Sequence, residues 1–421
     1  MSTTRSFRHL LPWLGWLVAG IASLFQALLQ TSPSVMIPGL SKAFAISSFG
    51  VSLLSSSFFY TYLFCQIPAG ILIDRFEPRR ILMASQISLA LLCLLFSITT
   101  SPWSAAVTRM AMGLFAAPNI IVAFYLAARS LPEKYFALVA GLTEMLCMLG
   151  GAASQLILPI SLTHFGWRYS MIMLAALAML VALAAHYLVQ NKVDSVPSLP
   201  PSQTQKTWQK TFADIRFMLK QSQVWLNGIY AGLLFSLIAT FASFWSIPFL
   251  KTYYHLQLAD IASISAMIFI GAGLGAPFIG SLSTRLGKPR QIMQLCSLLT
   301  LLIFLAILYL PITLTMTFMH FLFFALGFFS GAYVVPFSLM QGITPPHMRG
   351  TAMAFINMMC IFIGPPFFQP LIGWLLHAEP SLSLSAYQHA FLTLSSGLLL
   401  AYLLTFFLDK TPLISAEPVA S

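Results

Sequence analysis

From residue 11 to residue 407 the chain is a succession of apolar stretches broken by short polar turns. The stretches run to about 20 residues, enough for a helix to cross a hydrocarbon core about 30 Å thick. In lipid every backbone N–H and C=O must find a partner within the protein, which leaves only helices or closed barrels. The stretches are continuously apolar and do not alternate, so helices are expected. Only 7% of the 421 residues are charged. A soluble domain carries about 25%, so an ordinary water-facing surface cannot be built from this sequence.

Twelve spans are expected. The first six lie near Leu11–Met36, Gly50–Ile73, Ile81–Ile98, Trp103–Ala127, Phe136–Ile160 and Tyr169–Leu188. The second six lie near Val224–Phe249, Ile261–Leu282, Gln291–Leu310, Leu314–Met340, Ala352–Leu376 and Tyr387–Phe407. This divides the chain into an N-terminal six-helix bundle (1–188), a polar linker (189–223) and a C-terminal bundle with a short tail (224–421). The stretch from Phe212 to Leu219 in the linker reads as a short amphipathic surface helix.

Net charge is +11, but the basic residues are scattered among the turns and do not form a polyanion-binding stripe. With the N-terminus inside, seventeen of the 21 Lys and Arg fall on the inner side. Only Lys42, Arg168 and Lys251 fall outside, and Arg109 lies within a span. That bias places both termini in the cytoplasm, and a bacterial inner membrane is the expected location. The first apolar run lacks a small-residue cleavage site after it, so it reads as a membrane helix and not a removed signal peptide. The five cysteines fall inside spans without CxxC spacing, so neither a disulfide framework nor a zinc site is expected.

The halves echo each other. Gly70, Asp74, Arg75, Phe76 and Arg80 after span two recur as Gly280, Thr284, Arg285, Leu286 and Arg290 after span eight, 210 residues on, with Gly287 nearby. Pro132, Met145, Cys147 and Gly151 recur as Pro345, Met358, Cys360 and Gly364, displaced by 213. Two echoes at half the chain length indicate a duplicated six-helix unit.

The stretch from Gly70 to Arg80 resembles the signature loop of the major facilitator superfamily, G-x-x-x-D-R-x-G-R-R, with Glu77 where that family has Gly. Arg109-Met-Ala-Met-Gly113 is similar to its R-x-x-x-G element, and Gly166-Trp167-Arg168 to the usual start of helix six. Leu131 to Gly151 looks similar to bacterial nutrient permeases related to phagosomal amino-acid transporters and lysosomal dipeptide transporters. The resemblance implies an all-α membrane protein of two pseudo-symmetric six-helix bundles that rock about a midplane cavity lined by spans one, four, seven and ten. It implies a monomeric carrier of a small-molecule substrate with no cofactor. The signature loop then serves as a conformational latch. Gly70 lets two spans approach, and Asp74 and Arg75 pair in one rocking state. Arg79 and Arg80 read more simply as positive-inside anchors.

Ionisable groups in mid-bilayer cost about 2.5–3.5 kcal/mol each on insertion scales, so the few present are the leads. Glu144 is the one acid deep in a span, and its counterpart in the second half is Asn357. Membrane burial disfavours its charged form, which makes it the first proton-coupling candidate. The bland alternative is a carboxyl that bridges helices. Arg109, in span four, can hold a substrate carboxylate or brace the bundle through a backbone carbonyl. His320 in span ten is a second coupling candidate. Neutral lining candidates are Gln26, Gln30, Asn119, Asn227, Tyr230, Tyr333 and Asn357, with Tyr60, Tyr125, Ser243 and Gln369 beside them. Any of these can equally be interhelical glue.

Span five lacks the G-x-x-x-G-P-x-x-G-G element of drug/proton antiporters. There is no phosphate-binding loop, no HExxH and no nucleophile elbow, so enzymology has no support. The expected function is proton-coupled transport of an amino acid, short peptide or organic acid. Efflux of a drug or siderophore is the alternative within transport, and a non-transporting receptor or scaffold is the alternative outside it.

Overall fold

The computed structural model describes residues 3–130, 136–190, 216, 218–254, 257–310, 315–344, 349–379 and 382–409. Most of the linker, including the expected surface helix around Phe212, lies outside the described residues. So does the turn carrying Pro132 and Tyr135.

Among the described residues every regular element is helical. Eleven helices are long and apolar enough to cross a membrane. The helix Phe136–Leu156, 21 residues long, occupies the place of the expected fifth span and is not among those eleven. Proline and hydroxyl residues punctuate the spans. Pro78, Pro102, Pro118 and Pro289 open helices at the first turn, where a missing N–H costs nothing. Ser47, Ser101, Thr315 and Ser383 accept from backbone N–H groups as N-caps. Gly287 ends span eight in the left-handed conformation (φ 61°), and Gly166 (φ 76°) breaks the helix Leu158–Leu188 so that span six begins at Trp167.

Span one is longer than its apolar run. It continues as two helices, Thr3–Thr31 and Pro33–Phe44. Two spans turn π-helical in mid-course, span seven over Leu237–Trp245 and span eleven over Ile363–Phe368. The Gly364-Pro365-Pro366 sequence thus widens its helix without ending it. Span ten has a short 3-10 turn at Gly331–Val334.

The two halves meet along spans five and eight, two and eleven, and one and seven. At these seams glycines admit the neighbouring helix. A Cβ at Gly151 would meet the Phe269 ring, and one at Gly273 would meet Met148. Within a half the contacts are tighter still: a Cβ at Gly113 would fall on the Phe58 carbonyl, and one at Gly150 on that of Leu24.

Candidate functional site

The face carrying residues 3 and 409 is called here the terminal face. Toward that face, span four (Pro118–Ser130), span seven (Ser222–Ser236) and span ten (Val335–Ile343) pack within their own halves. Toward the opposite face the halves are closed on each other. Phe49 stacks on His377 there, with ring centroids 6.0 Å apart, and a Cβ at Gly373 would meet Ser52. The space between the halves therefore opens on the terminal face.

Glu144 sits at the junction. It lies within electrostatic reach of Tyr62 in span two, Cys147 in span five, Tyr333 in span ten and Cys360 in span eleven. It is partly accessible, and among the described residues it has neither an ion-pair nor a hydrogen-bond partner. The Tyr62 hydroxyl accepts a hydrogen bond from Gln26 Nε2 at 2.8 Å and lies close to Gln66. Gln26 Oε1 and Gln66 Nε2 remain buried without a partner. A carboxyl, two phenols and two carboxamides with unused capacity thus face one another across four spans. Tyr62 and Gln66 escaped the reading of the sequence, because nothing in an evenly apolar helix says which residues turn inward.

Arg109 is placed differently from the substrate-binding role considered for it. It is 1% exposed, and its guanidinium turns toward span one. One nitrogen donates to the Leu29 carbonyl at 2.8 Å, the other lies 3.4 Å from the Gln30 carbonyl, and the Phe58 ring lies 5.0 Å away. The reason is local. The helical donor for Leu29 is residue 33, a proline with no N–H, so the break in span one frees a carbonyl that the guanidinium and the Ser32 hydroxyl, at 2.9 Å, both meet. Arg109 also lines a small internal void with Ser32, Pro33, Met36 and Phe96, apart from the space at Glu144.

Several other polar candidates hold helices together. Asn119 Oδ1 accepts from Ser85 at 2.7 Å and Gln86 at 3.2 Å, joining spans three and four. Tyr230 donates to the Met293 carbonyl at 3.1 Å, whereas Asn227 donates to the Gln223 carbonyl at 2.8 Å within its own helix. His320 bonds Ser263 at 3.0 Å and the Met316 carbonyl at 2.8 Å, tying span ten to span eight away from Glu144. Tyr333 and Asn357 belong to spans that border the central space. Tyr333 packs its ring on Phe235, with centroids 4.9 Å apart. Gln30 contributes its carbonyl to Arg109.

In the latch region, span two ends at Arg75 with Phe76 as its cap. The side chains of Asp74 and Arg75 lie outside the description. Arg79 bonds His186 at 2.9 Å, and Arg80 pairs with Glu77 at 2.9 Å. Among the described residues nothing lies within 4 Å of a Cβ at Gly70 in this arrangement. At Gly280 the nearest atom is a Val334 methyl at 3.5 Å. Arg285 is exposed, and Gly287 serves as the left-handed cap.

The fold is that of solved transporters. A bacterial homolog to the human lysosomal transporter Spinster, in an inward-facing and unoccupied conformation, superposes with a TM-score of 0.78 at 17% identity over 94% of this chain and 97% of that one. The nucleoside transporter NupG superposes with a TM-score of 0.75 at 14% identity, over 94% and 99%. In sequence, the chain is 21% identical over 263 residues to a probable sulfoacetate transporter, SauU, of Cupriavidus necator. That match spans 61% of each protein, so the chain aligns with about three-fifths of the relative's length. The family model described as Major Facilitator Superfamily matches residues 19–368 and again 246–419, and on that match the chain belongs to the Major Facilitator Superfamily.

Proposed function

We propose that the chain is a proton-coupled carrier of a small polar solute bearing an ammonium group, an amino acid or short peptide, with Glu144 as the coupling carboxyl. That it transports small solutes follows from its family. The observation behind the finer reading is the position of Glu144, at the junction of both halves and without a basic partner among the described residues. The in-span cation, Arg109, is committed to Leu29 and Gln30. A carboxyl left among phenols and carboxamides suits a proton or an ammonium in turn. The bundles 1–188 and 224–421 then rock about this point as a monomer in a bacterial inner membrane, with both termini cytoplasmic.

A second reading, symport of an organic anion with protons, is favoured by the sulfoacetate transporter among the relatives. A thermal-shift screen of amino acids, dipeptides and organic acids separates the two, because a bound ligand stabilises the folded state. The coupling role is tested with Glu144→Gln in reconstituted vesicles. The variant should exchange solute but lose accumulation driven by a pH gradient. Retention of that accumulation removes the assignment. Loss of exchange as well reassigns Glu144 to solute binding.

A further inference from the structure

Three hydrogen bonds cross between the halves among the described residues, and all have one form. Ser56 Oγ donates to the Pro365 carbonyl at 2.8 Å, the Tyr60 hydroxyl to the Pro366 carbonyl at 3.1 Å, and Gln155 Nε2 to the Ala242 carbonyl at 2.7 Å. Each donor is a side chain of the first half. Each acceptor is a main-chain carbonyl of the second half, inside one of its two π-helical segments.

The backbone explains why these carbonyls are free. Pro370, which has no N–H, stands at the α-helical donor position for the Pro366 carbonyl and at the π-helical donor position for that of Pro365. In span seven the N–H of Ser246 goes back five residues to Phe241, in π-fashion, which leaves the Ala242 carbonyl to side chains: Ser246 Oγ at 3.2 Å and Ser265 Oγ at 3.5 Å in its own half, and Gln155 Nε2, the shortest of the three, from the other. A free carbonyl in the membrane interior is costly unless it is met. Ser56 and Tyr60 are one helical turn apart on span two, so one face of that span meets both acceptors.

We propose that these three bonds are a clasp that closes the face opposite the termini, and that the two π-helical segments exist to supply its acceptors. Opening that face breaks all three bonds. Each is weak enough to reverse: a membrane hydrogen bond is worth about a 2.7-fold change in an equilibrium, so the three together bias it roughly 20-fold.

The test is hydrogen–deuterium exchange of the full chain in lipid nanodiscs, comparing the parent with the triple variant Ser56→Ala, Tyr60→Phe, Gln155→Leu. The expected result has opposite signs on the two faces. Exchange rises in 48–60 and 369–378, near the clasp, and falls in 222–236 and 335–343, at the terminal face. General destabilisation would raise exchange on both. Ser57→Ala is the control, because its hydroxyl bonds Leu54 and Ala106 within the first half. Unchanged exchange in the triple variant, a rise on both faces, or the same response in Ser57→Ala overturns the proposal. If the triple variant does not accumulate, Tyr60→Phe alone carries the test with a shift of about threefold, and its failure to shift overturns the proposal equally.

Discussion

Arg109 separates two ideas about the charge buried in span four, and a pair of substitutions tells them apart. In the structure its guanidinium makes one good charge-assisted bond, 2.8 Å to Leu29, and one marginal contact, 3.4 Å to Gln30. The first is worth about 1.5–3 kcal/mol and the second close to nothing. The Phe58 ring at 5.0 Å adds about 2 kcal/mol for a desolvated cation–π contact. Against this gain of about 3.5–5 kcal/mol stands the cost of holding a charge in the bilayer, about 2.5–3.5 kcal/mol. Arg109→Leu loses both columns together and should cost only about 1–2 kcal/mol. Arg109→Lys keeps the buried charge but loses the planar fork and its packing on Phe58. The charge-conserving change should therefore be the more damaging one, by about 2 kcal/mol. Thermal unfolding of the purified variants, without added solute, gives the order: wild type, then Leu, then Lys. If Lys behaves as wild type and Leu collapses, a positive point charge is what the site uses. The bracing of Leu29 and Gln30 would then be incidental.

Three further outcomes are expected. Gly113→Ala should cost about 1–3 kcal/mol of stability, because its Cβ would strike the Phe58 carbonyl, which cannot rotate away; an unchanged unfolding temperature refutes that packing. Gly70→Leu should leave the unfolding temperature unchanged or raised, the space around it being open among the described residues, yet slow transport if the latch closes there in the other state. Transport at the wild-type rate in that variant makes the loop an anchor only. Reporter fusions after Val193, Arg349 and Ser421 should all report cytoplasm, and a signal from the far side at any of them sinks the topology.

Span number, the duplicated halves and the depth of each ionisable group were legible in the sequence, because length and hydropathy along one axis are all that a bilayer demands of a helix. Arg109 and Glu144 were found this way, each as a charge out of place, whereas Asp74 came from the signature loop. What the sequence left open was direction around the helix axis. In a span apolar on every side no hydrophobic stripe marks an inner face, so the reading could not say that Arg109 turns to span one while Tyr62 and Gln66 turn toward Glu144. For the same reason Asn119, Tyr230 and His320 read as lining candidates, although their partners are neighbouring helices. The π-helical segments were hidden too. Pro365, Pro366 and Pro370 announce a disturbed helix, but whether it breaks, kinks or widens depends on who meets the freed carbonyls. Ser56 and Tyr60 meet them from more than 300 residues away, a pairing that only the packed halves could decide.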